Sequence, residues 1–209
     1  MLPVIVEPHY LPSLEYFCAL LSHDAVILET NEHYVKQSFR NRCYINTTQG
    51  VAMLSVPLAD KHSRAYLKDI RIDYSQKWQN NQWRTLYSAY ANAPFFEHYG
   101  DGLHDGIFRR HEFLVDLNRE LLSFCLKSLR MEVSLSESVS YEKYVQNEVL
   151  DLRCMINAKK PYSERSFYRP HAYYQVFGSA FEENLSVVDV LFCEGPQALG
   201  IIRKCSQAN

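Results

Sequence analysis

Apolar residues in the first thirty positions change spacing twice, which predicts a strand, a helix and a second strand. "PVIVEPHY" (residues 3–10) and "DAVILET" (24–30) are short runs rich in β-formers. Between them an apolar stripe recurs at helical spacing: Leu14, Phe17, Cys18 and Leu21. Strand, helix and strand in so few residues predict a βαβ unit with a parallel strand pair.

The rest of the chain predicts a hairpin followed by helices. Strands are predicted at 35–46 and 51–58, joined by the turn "NTTQG", and at 67–73, in "MEVSLSES" and in "YYQVF". Helices are predicted from Ser75 to about Ala93, over 111–129, from Tyr141 to about Ile156 after a Ser140 cap, and from Ser186 to Gly195-Pro196, with Asp189 completing a capping box.

Residues 158–172 have no periodicity, contain two prolines and carry five basic side chains against one acid, so this loop is predicted to be a lid. The whole pattern predicts an α/β fold: a Rossmann-like mixed sheet flanked by helices, with a β-hairpin insertion and a helical C-terminal half. Without repeats, low-complexity tracts or linker-like composition, residues 1–209 are predicted to form a single domain.

Composition narrows the classes of function. A formal net charge of -2 lacks the basic surplus of nucleic-acid proteins. The start of the chain is unlike a signal peptide, and there is no run of about 18 apolar residues to insert into a membrane. Six cysteines without a CxxC pair are typical of reduced thiols in the cytoplasm. No metal motif or cofactor fingerprint is present, and the fifteen tyrosines suit both a core and a pocket.

The segment "VKQSFRNRCYI" (35–45) gathers three cations with no acid close in sequence. If it is a strand, one face carries Lys36, Ser38, Arg40, Arg42 and Tyr44. Neighbours on that face lie about 6.6 Å apart, which suits two phosphates, or a phosphate and a carboxylate, held by guanidinium groups. The segment therefore predicts an anion site; the alternative is a solvated edge strand whose cations prevent aggregation.

The first strand-to-helix turn, "EPHYLPS", is a second candidate site. In open α/β sheets ligands bind at the carboxyl ends of the strands, where His9 and Tyr10 are expected. The turn has no glycine, so it is neither a P-loop nor a dinucleotide fingerprint. An ordinary hydrogen-bonded histidine remains the alternative for His9.

Five blocks in order resemble the WbqC-like family: "HYLPSLEYF", "VKQSFRNRCYI", "LSVPL", "KWQNNQWRTLYSAYANAPFFEHY" and "YYQVFGSAFEENLSVVDVLFCEGP". Two positions depart from the family's pattern: Glu15 stands before Tyr16 in place of the usual glycine, and Gln82 stands before Trp83 where histidine is expected. The second departure puts catalytic activity in question.

The resemblance implies a bacterial protein of surface-polysaccharide (O-antigen type) biosynthesis that moves an acyl or aminoacyl group onto the amine of a nucleotide-linked sugar. In this hypothesis Lys36, Arg40 and Arg42 hold the diphosphate, and Tyr10, Tyr34 or Tyr174 stacks on sugar or base. His9 is the general base, Gln37, Asn41 and Gln175 orient the acyl oxygen, and the basic loop, with His171, closes over the ligand. The alternatives are a non-catalytic binder in the same pathway and a Mg²⁺-dependent nucleotidyltransferase.

Overall fold

A four-stranded parallel sheet lies at the centre of the molecule. In this computed structural model, residues 2–59, 65–145, 148–178 and 180–206 are described. The sheet has the order β5-β2-β1-β6, with β1 at Val4–Val6, β2 at Ala25–Leu28, β5 at Ser134–Glu137 and β6 at Leu150–Asp151. All three strand pairs are parallel, and helix α1 (Leu14–Leu20) joins β1 to β2, so the predicted βαβ unit is confirmed.

The register of this sheet divides its side chains between two environments. Val4 is paired with Val26 and Val6 with Leu28, and all four side chains are buried in the hydrophobic core. Ile5 and Ile27 are paired on the opposite face, beside Ser136, Val139 and Val149. The α/β class is confirmed, and because the strands are parallel, the loops that follow all of them meet at one edge.

The predicted hairpin insertion is present as β3 (Arg42–Thr47) and β4 (Gly50–Ser55), paired antiparallel from Arg42↔Ser55 to Thr47↔Gly50. Its first strand begins later than predicted. Gln37 has a positive φ of 56°, and the Ser38 hydroxyl donates to the Val35 carbonyl at 2.6 Å, which closes a turn. Residues 35–41 are therefore irregular, and the prediction that Lys36, Ser38 and Arg40 share a strand face is wrong.

Five further helices follow: α2 (Trp78–Tyr90), α3 (Phe96–Phe108), α4 (Leu114–Leu129), α5 (Val187–Glu194) and α6 (Ala198–Ser206). The predicted helices α2, α4 and α5 are confirmed, whereas α3 and α6 were not predicted. The Ser75 cap is wrong, since α2 begins at Trp78. The capping box is also wrong, because the Ser186 hydroxyl donates to the Leu11 carbonyl and Asp189 lies in the core.

Three other elements differ from the prediction. Residues 67–73 form a 3₁₀ turn at Leu67–Asp69 and two isolated bridges instead of a strand. The described residues of 141–156 contain strand β6 and no helix, while 146–147 lie outside the described residues. "YYQVF" (173–177) is a loop, because the Gln175 side chain, and not a partner strand, binds the backbone of Glu182.

One continuous hydrophobic cluster joins the sheet, the hairpin and all six helices. The assignment of residues 1–209 to a single domain stays a prediction. Within the described part of the chain, no helix combines the length and the apolar character needed to cross a membrane.

Candidate functional site

Polar side chains follow each strand of the parallel sheet at its carboxyl edge. Glu7 comes after β1, Glu29 after β2, Ser138 after β5 and Arg153 after β6. Glu29 accepts hydrogen bonds from the Ser138 hydroxyl at 2.7 Å and from the Arg153 guanidinium at 3.0 Å. These contacts tie the loops after three strands together at the edge where ligands bind in open α/β sheets.

The guanidinium of Arg40 lies between two buried carboxylates. Its Nη2 atom is 3.1 Å from Glu7 Oε1 and 2.5 Å from Glu32 Oε1, and its Nε donates to the same Glu32 oxygen at 2.7 Å. Glu7 also accepts hydrogen bonds from the backbone N–H of Cys154 at 3.2 and 3.0 Å. Loops from four parts of the chain therefore converge on one charged cluster.

A cavity of about 790 Å³ opens beside this cluster. Its lining residues come from the loop after β2, the first 3₁₀ turn, the loop after β5 and the loop after β6: Asn31, Glu32, His33, Val35, Tyr66, Lys68, Val139, Ser140, Tyr141 and Cys154. The His33 ring stacks on Tyr66 at 4.7 Å between centroids, and Lys68 Nζ donates to Asn31 Oδ1 at 2.8 Å. The cavity offers an acid, a lysine and two aromatic surfaces to a ligand.

The two carboxylates around Arg40 have opposite pKa shifts. Burial and the negative charges of Glu7 and Glu29 raise the pKa of Glu32 to about 7, although Arg40 acts against this. Burial also acts to raise the pKa of Glu7, but the neighbouring His9 ring and the Arg40 guanidinium lower it to about 2. A carboxyl group that exchanges its proton near neutral pH thus faces the cavity, and a permanent carboxylate lies behind it.

His9, the predicted general base, lies behind Glu7 and is not among the residues that line this cavity. Its ring is fully buried against Tyr16 and Phe39, with Nε2 3.8 Å from Glu7 Oε1, and neither nitrogen has a hydrogen-bond partner among the described residues. Burial lowers the pKa of His9, so the ring is neutral near pH 7.

Tyr10 and Gln82 form a buried structural contact. The Tyr10 hydroxyl donates to Gln82 Oε1 at 2.5 Å, and Gln82 Nε2 donates to the Ser55 carbonyl at 2.8 Å. Gln82, at the position where histidine is expected, therefore joins the first turn and helix α2 to the hairpin. Its contacts are those of a packing residue.

The predicted row of cations is not an anion site of the form expected. Arg40 is neutralised by Glu7 and Glu32, and Lys36 and Gln37 are exposed on the turn before the hairpin. Only Arg42 lies in a strand; it is half-buried, and its Nε has no hydrogen-bond partner among the described residues. The predicted row of cations required residues 35–46 to form an extended strand. The turn at Gln37 prevents Lys36, Arg40 and Arg42 from lying side by side on one strand face.

Tyr34 and Asn41 are bonded to each other. The Tyr34 hydroxyl donates to Asn41 Oδ1 at 3.0 Å, and Asn41 Nδ2 donates to the Val56 carbonyl at 3.0 Å. Both side chains are buried, so their contacts hold the turn 35–41 against the hairpin.

Three predicted ligand contacts from the C-terminal part of the chain lie outside this cavity lining. Gln175 Nε2 donates to the Glu182 carbonyl at 2.9 Å and to Asp189 at 3.2 Å, and Tyr174 is exposed. His171 lines a separate cavity of about 280 Å³ beside α5 and α6. The structure does not bring these residues together with Glu32.

Sequence reasoning missed several residues of the cavity and its charged cluster: Glu7, Glu32, Tyr66, Lys68, Tyr141 and Cys154. A signal was present for the acids, because Glu7 follows directly after a short buried strand in "VIVEP", and Glu32 stands three positions after Glu29, which follows the next strand in "VILETNE". The other residues carry no such signal, since only tertiary folding brings them to this edge. Among the described residues, no group of three His, Cys, Asp or Glu side chains could hold a metal ion.

Comparison with known proteins identifies relatives of the sequence. The profile of the WbqC-like protein family matches residues 7–166. A protein of Mycobacterium tuberculosis (strain ATCC 25618 / H37Rv), named "Uncharacterized protein Rv1507c", is 28% identical over 229 aligned positions, covering 97% of this chain and 98% of that protein. No solved structure matches the chain.

Proposed function

The chain belongs to the WbqC-like protein family, and from that premise we propose that it is a transferase that moves an acyl or aminoacyl group onto the amine of a nucleotide-linked sugar. One observation carries the proposal: a buried carboxyl group with a pKa of about 7 faces a ligand-sized cavity at the carboxyl edge of a parallel sheet. The surface-polysaccharide context rests on the family resemblance.

Glu32 replaces His9 as the general base of this proposal. The amine nitrogen forms a bond to the carbonyl carbon of an activated acyl donor, and the bond from that carbon to the leaving group breaks. The Glu32 carboxylate takes the proton that the amine loses. A general base is most effective when its pKa lies near the working pH, which favours Glu32 over the buried, neutral His9.

The cavity lining supports a sugar nucleotide as the ligand. Tyr66 and Tyr141 line the cavity and are exposed, so each offers an aromatic face to a sugar ring or a base. Lys68 is the lysine of the lining, and Lys36 follows Val35 in the chain. We assign Lys68 and Lys36 to the diphosphate, in place of the guanidinium of Arg40.

The test compares Glu32→Gln with wild type in a mass-spectrometric assay for acylated product, using nucleotide-linked amino sugars and activated acyl donors. Loss of a general base lowers turnover by about 10²–10⁴-fold. Glu112→Gln is the matched control, because Glu112 is an exposed acid paired with Arg71 outside the cavity lining. Equal turnover of Glu32→Gln and wild type contradicts the proposed role of Glu32.

A second candidate function is ligand binding without turnover. Cys154 is the cysteine exposed in the cavity, and burial, together with the charges of Glu7 and Glu32, raises the pKa of its thiol. The site therefore lacks an activated thiolate nucleophile. The same thiol distinguishes the two candidates, because a ligand in the cavity slows alkylation of Cys154. Protection by a nucleotide sugar without product supports a binding protein, and absence of both protection and product removes both candidates.

A further inference from the structure

One guanidinium is shared between two carboxylates beneath the cavity. Arg40 Nη2 lies within 3.1 Å of Glu7 and 2.5 Å of Glu32, and the exposed fractions of the three side chains are 3%, 1% and 6%. A buried pair with one cation for each acid has no charge left over. Here a single cation is divided between two acids in a place that water barely reaches, so one of the acids is under-compensated.

Within the described part of the chain, the surrounding charges do not correct this imbalance. On the side of the sheet, Glu29 and Asp151 share Arg153, at 3.0 and 2.7 Å. On the side of the 3₁₀ turn, Lys68 donates to Asn31. On the side of β1, the buried His9 faces Glu7 and is neutral, and next to Glu32 in the chain stands His33, whose ring is stacked on Tyr66. Among the described residues, four carboxylates therefore face three cationic side chains.

The position of each acid decides which one takes up a proton. Glu7 is held in place by the Arg40 guanidinium and by the Cys154 backbone N–H, so three short contacts favour its charged form. Glu32 has the side-chain contacts of Arg40 alone among the described residues, and it borders the cavity. Glu32 is therefore the member of the cluster that exchanges its proton with water or with a substrate.

We infer that Glu7 is a positioning residue: by keeping half of the Arg40 guanidinium for itself, it leaves Glu32 able to accept and release a proton near neutral pH. If the charge of Glu7 were absent, Arg40 would serve Glu32 alone and would hold it as a permanent carboxylate. The consequence for transfer to an amine rests on the proposed function, whereas the division of Arg40 between the two acids does not.

The experiment is a titration of Glu32 in the whole protein without substrate. Glutamate side chains labelled with ¹³C are followed by NMR from pH 4 to 9, and the Glu32 carboxyl signal is the one absent from Glu32→Gln. In Glu7→Gln we expect the midpoint of Glu32 to fall by at least one pH unit, which is a tenfold weaker affinity for the proton. Glu112→Gln is the control and leaves the midpoint unchanged.

Two results would overturn the inference. The first is a folded Glu7→Gln protein whose Glu32 midpoint equals that of wild type, because a purely structural role of Glu7 lowers stability without moving this titration. If Glu7→Gln does not fold, Glu7→Asp takes its place, because it keeps the charge. The Glu32 midpoint of Glu7→Asp is expected to stay within half a pH unit of wild type. A shift of that midpoint by one pH unit, a tenfold change in proton affinity, is the second overturning result. A transferase assay without product, together with a shifted titration, would instead remove the proposed function and leave this inference standing.

Discussion

At the scale of single residues, the edge of the sheet contains two acids with opposite proton affinities. Glu7 has a pKa of about 2 and Glu32 a pKa of about 7, although both contact the same guanidinium. Pairs of titratable groups whose environments move their pKa values apart are typical of acid–base sites. This contrast assigns different tasks to them: Glu7 is a fixed charge, and Glu32 is the group that exchanges a proton.

The raised pKa of Glu32 predicts a pH-dependent cost in stability. Its ordinary pKa is 4.5, so the folded state holds the proton more tightly than the unfolded chain between pH 4.5 and about 7. Glu32 therefore reduces the free energy of unfolding as the pH rises, by about 2 kcal/mol between pH 5 and 8. Glu32→Gln removes this titration, so its stability relative to wild type should be higher at pH 8 than at pH 5.

Urea unfolding of both proteins at the two pH values measures this difference. Glu112→Gln provides the control, because Glu112 is exposed. The free energy of unfolding of this variant should differ from that of wild type by the same amount at both pH values. If Glu32→Gln also keeps a constant difference from wild type, Glu32 does not have a raised pKa.

The residue scale also shows why the sequence predicted the wrong role for Arg40. The predicted anion site required that no carboxylate balance its charge, and none is close to it in the segment 35–45. The balancing acids, Glu32 and Glu7, are 8 and 33 positions away and reach Arg40 only after β1 and the loop after β2 are in place. Local charge spacing contains no information about such partners.

At the scale of elements, apolar periodicity located α1, α2, α4 and α5 but not α3 or α6. Helix α3 was missed because it contains Gly100, Gly102 and Gly106, and glycine disfavours helices by about 1 kcal/mol each. The structure gives a reason for two of them. A Cβ atom would stand 2.8 Å from Phe124 at Gly102 and 2.9 Å from Leu121 at Gly106, so these glycines let α3 approach α4 closely.

This close approach predicts opposite effects for two glycine substitutions in helices. Gly106→Ala forces the buried Leu121 to move, which costs about 1–3 kcal/mol and outweighs the gain of up to about 1 kcal/mol from alanine in a helix, so the free energy of unfolding should fall by up to about 2 kcal/mol. Gly200→Ala in α6 adds a Cβ with no atom within 4 Å and should raise stability by up to about 1 kcal/mol. Thermal unfolding of both variants measures the contrast, and equal changes in Tm would rule out a packing role for Gly106.

A buried ion pair attaches the predicted lid to helix α1. Arg165 donates to Glu15 at 2.7 Å and also to the carbonyls of Met155, Asn157 and Lys160, so it fixes the loop that precedes it. Glu15 stands where the resemblance to the family predicts glycine, and the ion pair with Arg165 is the contact that a glycine there would lack. The movement of residues 158–172 as a lid stays a prediction. A movement that includes Arg165 must break its ion pair with Glu15.

Breaking the pair should loosen the loop and destabilise the fold. Arg165→Met leaves the Glu15 carboxylate buried and unpaired, which costs about 3–5 kcal/mol. Trypsin should then cleave faster after the exposed Lys159, whereas Lys160 precedes Pro161 and is not a trypsin site. The double variant Glu15→Leu, Arg165→Met removes both charges and should recover part of the lost stability. A double variant less stable than Arg165→Met would show that the pair's charges are not the source of the cost.

At the scale of the whole molecule, the distribution of thiols tests whether the chain folds as one unit. Five cysteines are buried in five different elements: Cys18 in α1, Cys43 in β3, Cys125 in α4, Cys193 in α5 and Cys205 in α6. All five belong to the same hydrophobic cluster. If residues 1–209 form a single cooperative domain, these thiols should become reactive to an alkylating reagent at one common urea concentration.

Mass spectrometry of the labelled peptides measures the midpoint for each thiol. Cys154 should react without urea, because it is exposed in the cavity, and Cys154→Ser should leave the native protein with no rapidly reacting thiol. Two groups of thiols with separate midpoints would divide the chain into independent folding units and reject the single domain. Because Cys18 lies between Glu7 and Glu32 in the chain and Cys43 follows Arg40 by three positions, their shared midpoint would also show that the candidate site is lost only when the whole core unfolds.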